Sequence, residues 1–167
     1  CRSYANESIL KRAQEKKIVS FQYYDPKDFT AKKGDRVDNR PYGGGPGMVL
    51  EALPVTRAGE RALMAAKKKN PTLRHGARIK GKTAVFFFSP SGKQFGAKMA
   101  RALAETYTDI ILISGRYEGI DTRAKKILKA KPLSIGPYVL TGGELPAMVV
   151  ADAVSRQISG VLGTFAS

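Results

Sequence analysis

Residues 83–89 read Thr-Ala-Val-Phe-Phe-Phe-Ser, an apolar run in which polar side chains do not alternate. Such a run is typical of a strand that is covered on both faces of its sheet. A second apolar run at residues 109–114 follows a helical stretch at residues 94–106. Strands and helices in this order predict an α/β fold with a mostly parallel sheet and helices on both faces.

Hydrophobic periodicity predicts the remaining elements, all within a single domain. Helices are expected at residues 5–17, 54–69, 121–129 and 144–159, and strands at residues 18–24, 48–53 and 133–135. In the first helix, Asn6 is the expected N-cap, and Ile9, Leu10 and Ala13 are the expected buried side chains.

The last predicted helix has two faces of different character. One is an apolar stripe typical of a core or a subunit interface, made of Ala147, Val150, Ala151, Val154 and Ile158. The other carries Asp152 and Arg156 at i, i+4 spacing, which allows the two side chains to form an ion pair.

The chain is strongly basic, with 29 Lys and Arg against 14 acids and a formal net charge of +15. This excess favours a polyanionic partner, nucleic acid first, over a role in solubility alone. One cluster of seven cations without an acid comprises Lys67, Lys68, Lys69, Arg74, Arg78, Lys80 and Lys82. A second comprises Lys125, Lys126, Lys129 and Lys131. Each cluster is either a solvated surface or a set of phosphate contacts.

Several classes of protein are disfavoured. No stretch has the roughly 20 apolar residues of a membrane span, and the polar N-terminus does not resemble a signal peptide. The single cysteine, Cys1, forms neither an internal disulfide nor a zinc site. These features predict a cytoplasmic protein without a bound metal.

Two glycine-bearing loops each follow an apolar run. Residues 115–121 read Gly-Arg-Tyr-Glu-Gly-Ile-Asp, and residues 134–146 read Ser-Ile-Gly-Pro-Tyr-Val-Leu-Thr-Gly-Gly-Glu-Leu-Pro. Glycines let a backbone approach a ligand closely and expose its hydrogen-bonding groups. The two loops therefore predict a small-molecule pocket at the strand ends.

A third glycine-rich stretch lies at residues 38–48, Asp-Asn-Arg-Pro-Tyr-Gly-Gly-Gly-Pro-Gly-Met. Its glycines and prolines exclude a helix or a regular strand. Its arginine, tyrosine and aspartate suit contact with an RNA base or phosphate, and a simple turn is the alternative.

Residues 76–83 match the phosphate-loop pattern G-x-x-x-x-G-K-[ST]. That pattern binds phosphate only where a helix follows it, and here a strand is expected to follow. A basic loop is therefore favoured over a nucleotide hydrolase. His75 is expected to be a surface residue, and the serines lack the partners needed for nucleophilic catalysis.

On these motifs the chain resembles the bacterial tRNA (guanine-N1)-methyltransferases of the TrmD family, in the SPOUT superfamily. The most specific pieces are residues 40–48, 115–121 and 138–146, in that order. The resemblance implies a C-terminal trefoil knot and a homodimer with its active site at the interface. It also implies methyl transfer from S-adenosylmethionine to N1 of the guanosine 3′ of the anticodon in tRNA.

The resemblance assigns roles to individual residues. The implied cofactor contacts are Phe87, Phe88, Ser89, Gly115, Tyr117, Ser134, Ile135, Gly136, Tyr138, Leu140, Gly142, Gly143 and Pro146. The implied substrate contacts are Asp38, Arg40, Tyr42, Gly45 and Gly47. The implied catalytic residues are Arg156, as the cation near guanine O6, and Glu118, and a general-base aspartate is expected beyond Ser167.

The chain departs from the family pattern in three respects. Residues 1–167 are expected to lack the family's first β-strand and its small C-terminal tRNA-binding domain. Pro137 stands where the family usually has aspartate. A basic RNA-binding module without catalysis, another SPOUT RNA methyltransferase and a nucleotide hydrolase remain the alternatives.

Overall fold

A computed structural model describes residues 1–32, 34–40, 44, 47–68, 72–74, 77–79, 81–116 and 119–162. The helices are α1 (Arg2–Ala5), α2 (Ser8–Glu15), α3 (Ala52–Lys68), α4 (Ala97–Thr106), α5 (Thr122–Ile127) and α6 (Glu144–Ser155), with a 3₁₀ turn at Pro26–Phe29. The strands are β1 (Asp38–Asn39), β2 (Val49–Leu50), β3 (Thr72–Arg74), β4 (Ala77–Ile79), β5 (Thr83–Gln94), β6 (Asp109–Ile113) and β7 (Lys131–Ser134).

The central sheet has the strand order β6-β5-β7, and β5 pairs in parallel with both neighbours. Two antiparallel two-stranded sheets, β1–β2 and β3–β4, lie outside it. The prediction of an α/β fold with a parallel sheet is confirmed.

Alternate side chains of β5 enter two hydrophobic cores. Ala84 and Phe86 belong to the first core, whose other buried members come from α4, β7 and α6: Ala100, Leu103, Ala104, Leu133, Val150 and Val154. Val85 and Phe87 pack against the second core, which consists of Leu50, Val55, Ile120, Ala124 and Leu128. Helices therefore cover both faces of the sheet. Of the predicted apolar stripe of the last helix, Val150 and Val154 lie in the first core and Ile158 packs against it. Ala147 and Ala151 are half-buried outside that core.

Strand β5 continues five residues beyond its predicted end. Its pairing with β7 shifts register between Phe88 and Lys93. At Gly92 the two backbones come so close that a Cβ atom would lie 2.6 Å from the amide nitrogen of Leu133. Glycine therefore permits the strand to continue, and α4 begins at Ala97 instead of residue 94.

The predicted helix at residues 5–17 is interrupted. Asn6 ends α1, and its amide donates to the carbonyls of Arg2 and Ser3. Ser8 has a φ of 48°, a left-handed conformation that separates α1 from α2. The N-cap prediction at Asn6 is therefore wrong. Leu10 and Ala13 are buried as predicted, but Ile9 is 38% exposed.

Residues 18–24 do not form the predicted strand. They line a cavity of about 1320 Å³ together with β6 and with residues of α3 and α6. In the described part of the chain, β6 pairs only with β5, so its other edge has no strand partner. Residues 18–24 line this cavity instead of pairing with β6, and a segment of high β propensity is not a strand until it pairs with an edge.

The helix ends differ from the predictions by a few residues. Pro54 lies in the first turn of α3, as expected. Helix α5 stops at Ile127, and Lys129 follows with a left-handed φ of 50°. Helix α6 stops at Ser155, four residues early, with Arg156 as its C-cap. Among the described residues, no helix has both the length and the hydropathy that a bilayer span requires.

Candidate ligand site at the carboxyl edge of the sheet

The candidate site lies where β5, β6 and β7 end. Because the three strands are parallel and adjacent, their carboxyl ends meet at one edge of the sheet. The loop after β6 leads to α5, and the loop after β7 leads to α6. This topology brings together the two glycine-bearing loops, which begin at Gly115 and Ser134 in the sequence.

Direct hydrogen bonds join the two loops. The amide of Gly143 donates to the carbonyl of Gly115 at 2.7 Å, and the hydroxyl of Ser114 donates to the carbonyl of Gly143 at 3.0 Å. Arg116 and Gly142 form an isolated antiparallel bridge. Sequence reasoning did not single out Ser114, although it is the polar residue that ends the apolar run before Gly115.

The close approach of these loops requires glycine at position 143. A Cβ atom there would lie 2.7 Å from the Cα of Ser114 and 2.8 Å from the amide nitrogen of Gly115. Both contacts are with backbone, so neither neighbour can rotate away. Gly143 therefore determines how closely the start of α6 approaches the end of β6.

An ion pair reinforces this junction. The Nε of Arg116 lies 2.7 Å from the Oε1 of Glu144, the first residue of α6. The Arg116 side chain is 63% exposed, so water screens the pair, and we expect a contribution of at most about 1 kcal/mol. The pair connects the loop after β6 to the start of α6.

The loop after β7 begins with a compact turn. Ser134 is buried, its hydroxyl donates to the carbonyl of Gly136 at 2.9 Å, and it accepts from the amide of Gly136 at 3.2 Å. The Tyr138 hydroxyl donates to the carbonyl of Ile135 at 3.2 Å. The Tyr138 ring occupies the space that a side chain at position 136 would need.

Beyond this turn the loop backbone is open. In the described part of the chain, none of the amides of residues 138–141 donates a hydrogen bond. Val139 is 86% exposed, and Leu140 is also exposed. Pro146 is buried in the first turn of α6. This segment offers backbone donors that have no partner among the described residues, beside apolar side chains.

The three predicted ligands on β5 are oriented differently from one another. The Phe87 ring packs toward the second core, and the Nζ of Lys125 lies 4.4 Å from its centroid. Phe88 packs against the first core. The hydroxyl of Ser89 is 2.9 Å from that of Ser91. The two phenylalanine side chains therefore do not share one face of the sheet.

The β1–β2 hairpin carries the described part of the predicted substrate loop. Asp38 is mostly buried and lies 3.6 Å from the guanidinium of Arg36. The amide of Arg40 donates to the side chain of Asn39 at 2.8 Å. These residues line a polar cavity of about 570 Å³ together with Asp35, Met48 and Glu51.

Backbone hydrogen bonds connect this hairpin to the loop after β6. The amide of Leu50 donates to the carbonyl of Gly119, and the amide of Asp121 donates to the carbonyl of Leu50, both at 3.0 Å. Gly47 has a left-handed φ of 92°. The structure thus brings the hairpin beside the glycine loop, an adjacency that the sequence did not predict.

Arg156 does not lie at this edge. It is the exposed C-cap of α6, which has 12 residues, so it is about 20 Å along the helix from Gly143. The ion pair that the sequence allowed between Asp152 and Arg156 does not form among the described residues. The Asp152 carboxylate instead accepts a hydrogen bond from the Tyr4 hydroxyl at 3.1 Å, which raises the pKa of Tyr4.

Four predicted site residues lie outside the described residues: Tyr42, Gly45, Tyr117 and Glu118. His75 and two residues of the phosphate-loop pattern, Gly76 and Lys80, also do. Within that pattern Ala77–Ile79 forms β4, and Thr83 begins β5 instead of a helix. A helix N-terminus for phosphate binding is therefore missing after Lys82.

The described residues contain no group of three His, Cys, Asp or Glu side chains that would hold a metal ion.

Asp121 begins α5 at the edge of the site. Its carboxylate accepts from the amide of Arg123 at 2.8 Å and from the Arg123 guanidinium at 2.8 Å. The hydrogen bond to the Arg123 side chain is the main cause that lowers the pKa of the Asp121 carboxyl. The residue therefore fixes the first turn of a helix that is only six residues long.

The model of a family described as tRNA (guanine-1)-methyltransferase TrmD matches residues 1–167. A tRNA (guanine-N(1)-)-methyltransferase of Thermomicrobium roseum is 45% identical over 95% of this chain and 54% of its own length. One from Carboxydothermus hydrogenoformans is 42% identical over 95% of this chain and 56% of its own.

A solved structure is also similar. The tRNA (m1G37) methyltransferase from Aquifex aeolicus matches with a TM-score of 0.77 and 34% identity, over 99% of this chain and 70% of that one. The chain spans a little over half the length of the two curated relatives.

Replacing Asp121 tests the geometry at the start of α5. We expect Asp121→Ala to lower the free energy of unfolding by about 0.5–2 kcal/mol at pH 7, because it removes a helix cap. Folding lowers the pKa of the Asp121 carboxyl. The negative charge therefore stabilises the folded state fully above the unfolded pKa of about 4, and this stabilisation is lost as the pH falls through the folded-state pKa. Urea unfolding at pH 7 and pH 2.5, with the exposed Asp28→Ala as control, measures this. A difference between wild type and Asp121→Ala that does not change with pH would contradict the charge assignment.

Proposed function

Because the chain belongs to the tRNA (guanine-1)-methyltransferase TrmD family, we propose that it methylates N1 of the guanosine 3′ of the anticodon in tRNA. The proposed methyl donor is S-adenosylmethionine, and the proposed location is the cytoplasm. The observation that carries the proposal is the hydrogen-bonded junction of the two glycine loops at the carboxyl edge of the sheet.

The described residues fit the methyl donor. The amides of residues 138–141 have no partner in the described chain and can read the edge of an adenine. Ile135 and Leu140 supply apolar surface beside them, with Pro146 buried at the start of α6. When bound, S-adenosylmethionine supplies an electrophilic methyl group on a sulfonium. We propose that the backbone around Gly115, Gly142 and Gly143 holds it, and that the two loops form a trefoil knot.

The chemistry of the acceptor defines what the side chains must do. Guanine N1 is a weak nucleophile until its proton leaves, and negative charge then develops on O6. A general base must take the proton, and a cation must stabilise O6. We assign the cation to Arg156, whose guanidinium is exposed. Glu118 and an aspartate beyond Ser167 are the proposed acidic groups.

The position of Arg156 supports a homodimer. Leu145 is 54% exposed and Val149 is 47% exposed. Together with Arg156 they follow i, i+4, i+11 spacing, so they lie on one face of α6. Two copies of α6 packed antiparallel through this face would put Arg156 of one copy beside Leu145 of the other. Each pocket would then obtain its cation from the second copy.

The β1–β2 hairpin is the proposed site of RNA contact. Its hydrogen bonds to Gly119 and Asp121 keep it beside the pocket. We propose that Asp38, Arg40, Tyr42, Gly45 and Gly47 contact the substrate. Arg40 is exposed and carries a charge suited to phosphate.

The domain organisation is part of the proposal. The cavity of about 1320 Å³ along β6 has room for an additional strand, and the other edge of β6 has no partner in the described chain. We propose that the family's first strand pairs there, and that a C-terminal domain grips the tRNA in the longer protein.

Calorimetry with S-adenosylmethionine tests the cofactor site. We expect the wild-type chain to bind, and Gly143→Val to abolish binding because its side chain would separate the loops. Arg101→Ala, an exposed change on α4, is the matched control. Absence of heat at millimolar ligand, together with salt-dependent binding of tRNA, would favour a basic RNA-binding module without catalysis. Methyl transfer to a different base or position would favour another SPOUT RNA methyltransferase.

Mixed dimers of the longer protein test the role of Arg156. We expect Arg156→Ala and Gly143→Val each to abolish methyl transfer alone. An equal mixture should recover about a quarter of wild-type activity, because one site of each hybrid dimer has an intact pocket and an intact arginine. Activity that stays at zero, in hybrids shown to form by a two-tag purification, would mean that Arg156 acts within its own subunit.

A chain extended at its N-terminus by the proposed first strand tests this pairing. We expect the longer chain to protect the amides of β6 from hydrogen exchange by at least about tenfold, because a second strand would pair with the open edge. Amides of β5, which already pairs on both sides, serve as the control. Equal exchange at β6 in both chains would contradict the proposal.

A further inference from the structure

The segment at residues 122–131 is strongly basic and lies entirely within the described part of the chain. It contains Arg123, Lys125, Lys126, Lys129 and Lys131. No carboxylate occurs in the sequence from Thr122 to Gly143. We call residues 122–131 the α5 basic segment.

Packing determines which of its side chains reach solvent. Ala124 is fully buried and Leu128 is 4% exposed. Leu128 lies against Gly59 of α3, where a Cβ atom would come within 2.5 Å of its Cδ1. Ala124 of α5 and its C-cap Leu128 therefore pack in the second core, and the opposite face of the helix points toward solvent.

Lys125 differs from the other lysines of the segment because its ammonium group contacts an aromatic ring of the protein. Its ammonium lies over the Phe87 ring at 4.4 Å from the centroid, a cation–π contact. Lys126, Lys129 and Lys131 are exposed. Within the described part of the chain, no carboxylate lies within 4 Å of the ammonium group of any of these three lysines.

The end of α5 does not account for all three charges. Cations in the last turn of a helix interact favourably with its dipole, which gives Lys126 a role in stability. Lys129 follows the helix in a left-handed conformation, with a φ of 50°. Lys131 lies farther on, in β7. Three charges in six residues, with no ion pair among the described residues, repel one another, and a bound anion would relieve this repulsion.

The segment is continuous with the candidate substrate loop. Asp121 precedes α5 directly, and its amide donates to the carbonyl of Leu50 in the β1–β2 hairpin. The exposed cations Arg36 and Arg40 flank β1 of that hairpin. Residues 121 and 126 are about 8 Å apart along the helix axis. One polynucleotide strand could therefore contact both the hairpin and the α5 basic segment.

We propose that Lys126, Lys129 and Lys131 bind the phosphate backbone of the tRNA whose guanosine occupies the pocket. The inference rests on the proposed function, because it takes tRNA as the polyanion. Phosphate contacts of this kind raise affinity without reading sequence. The α5 basic segment would fix the direction in which the RNA leaves the pocket.

A triple variant, Lys126→Ala with Lys129→Ala and Lys131→Ala, tests the proposal against a control of equal charge. The control replaces the exposed Lys11, Lys16 and Lys98 with alanine. Dissociation constants for tRNA are measured between 50 and 200 mM salt. We expect the test variant to bind about tenfold more weakly or worse, with the slope of log affinity against log salt reduced by about 2–3. The control should bind tRNA within about threefold of wild type. Because both variants lose three positive charges, a larger loss in the test variant reflects local contact and not net charge.

Two further readouts separate this inference from the proposed function. S-adenosylmethionine binding, measured by calorimetry, should be unchanged in both triple variants. Equal loss of tRNA affinity in the two variants, or an unchanged salt slope, would overturn the phosphate contact. If wild type binds tRNA through these lysines but the longer protein transfers no methyl group, the proposed function fails and the phosphate contact stands.

Discussion

The contact between Gly143 and Gly115 is the constraint on which the candidate site depends. Two backbones meet at 2.7 Å between amide nitrogen and carbonyl oxygen, with no room for a side chain at position 143. This contact attaches the start of α6 to the end of β6. Because Val150 and Val154 of α6 fill the first core, the same contact that shapes the pocket also determines how the helix packs on the sheet.

The sequence predicted the helices and strands that are determined by patterns of neighbouring residues. The apolar run that became β5 and the stripe that carries Val150 are recognisable without knowledge of any partner. The meeting of the two glycine loops also followed from the sequence, because parallel strands end at one edge.

Features that depend on distant parts of the chain were missed. Residues 18–24 have the composition of a strand, but whether a strand forms depends on a neighbouring edge. The break at Ser8 requires a left-handed φ, and a serine in the sequence does not predict that conformation. The Arg116–Glu144 pair joins residues 28 apart, and nothing in their local sequence selects that partner. The roles of the site residues remain predictions.

The residues predicted to form the site lie at the two ends of α6. The glycine loops are at its start, and Arg156, the proposed cation, is at its end. An exposed apolar face runs between them at Leu145 and Val149. Helix α6 therefore packs in the first core through one side and exposes an apolar face on the other, the face that we propose for the homodimer.

The hydrogen bond between Tyr4 and Asp152 has a consequence for how the chain folds. The two residues are separated by 148 positions, and the Cys1 thiol likewise reaches the carbonyl of Glu144. Closing so long a loop costs conformational entropy before any contact compensates for it, and topologies rich in such contacts fold slowly. During synthesis the segment around Tyr4 must therefore wait, without its native partner, until Asp152 has left the ribosome.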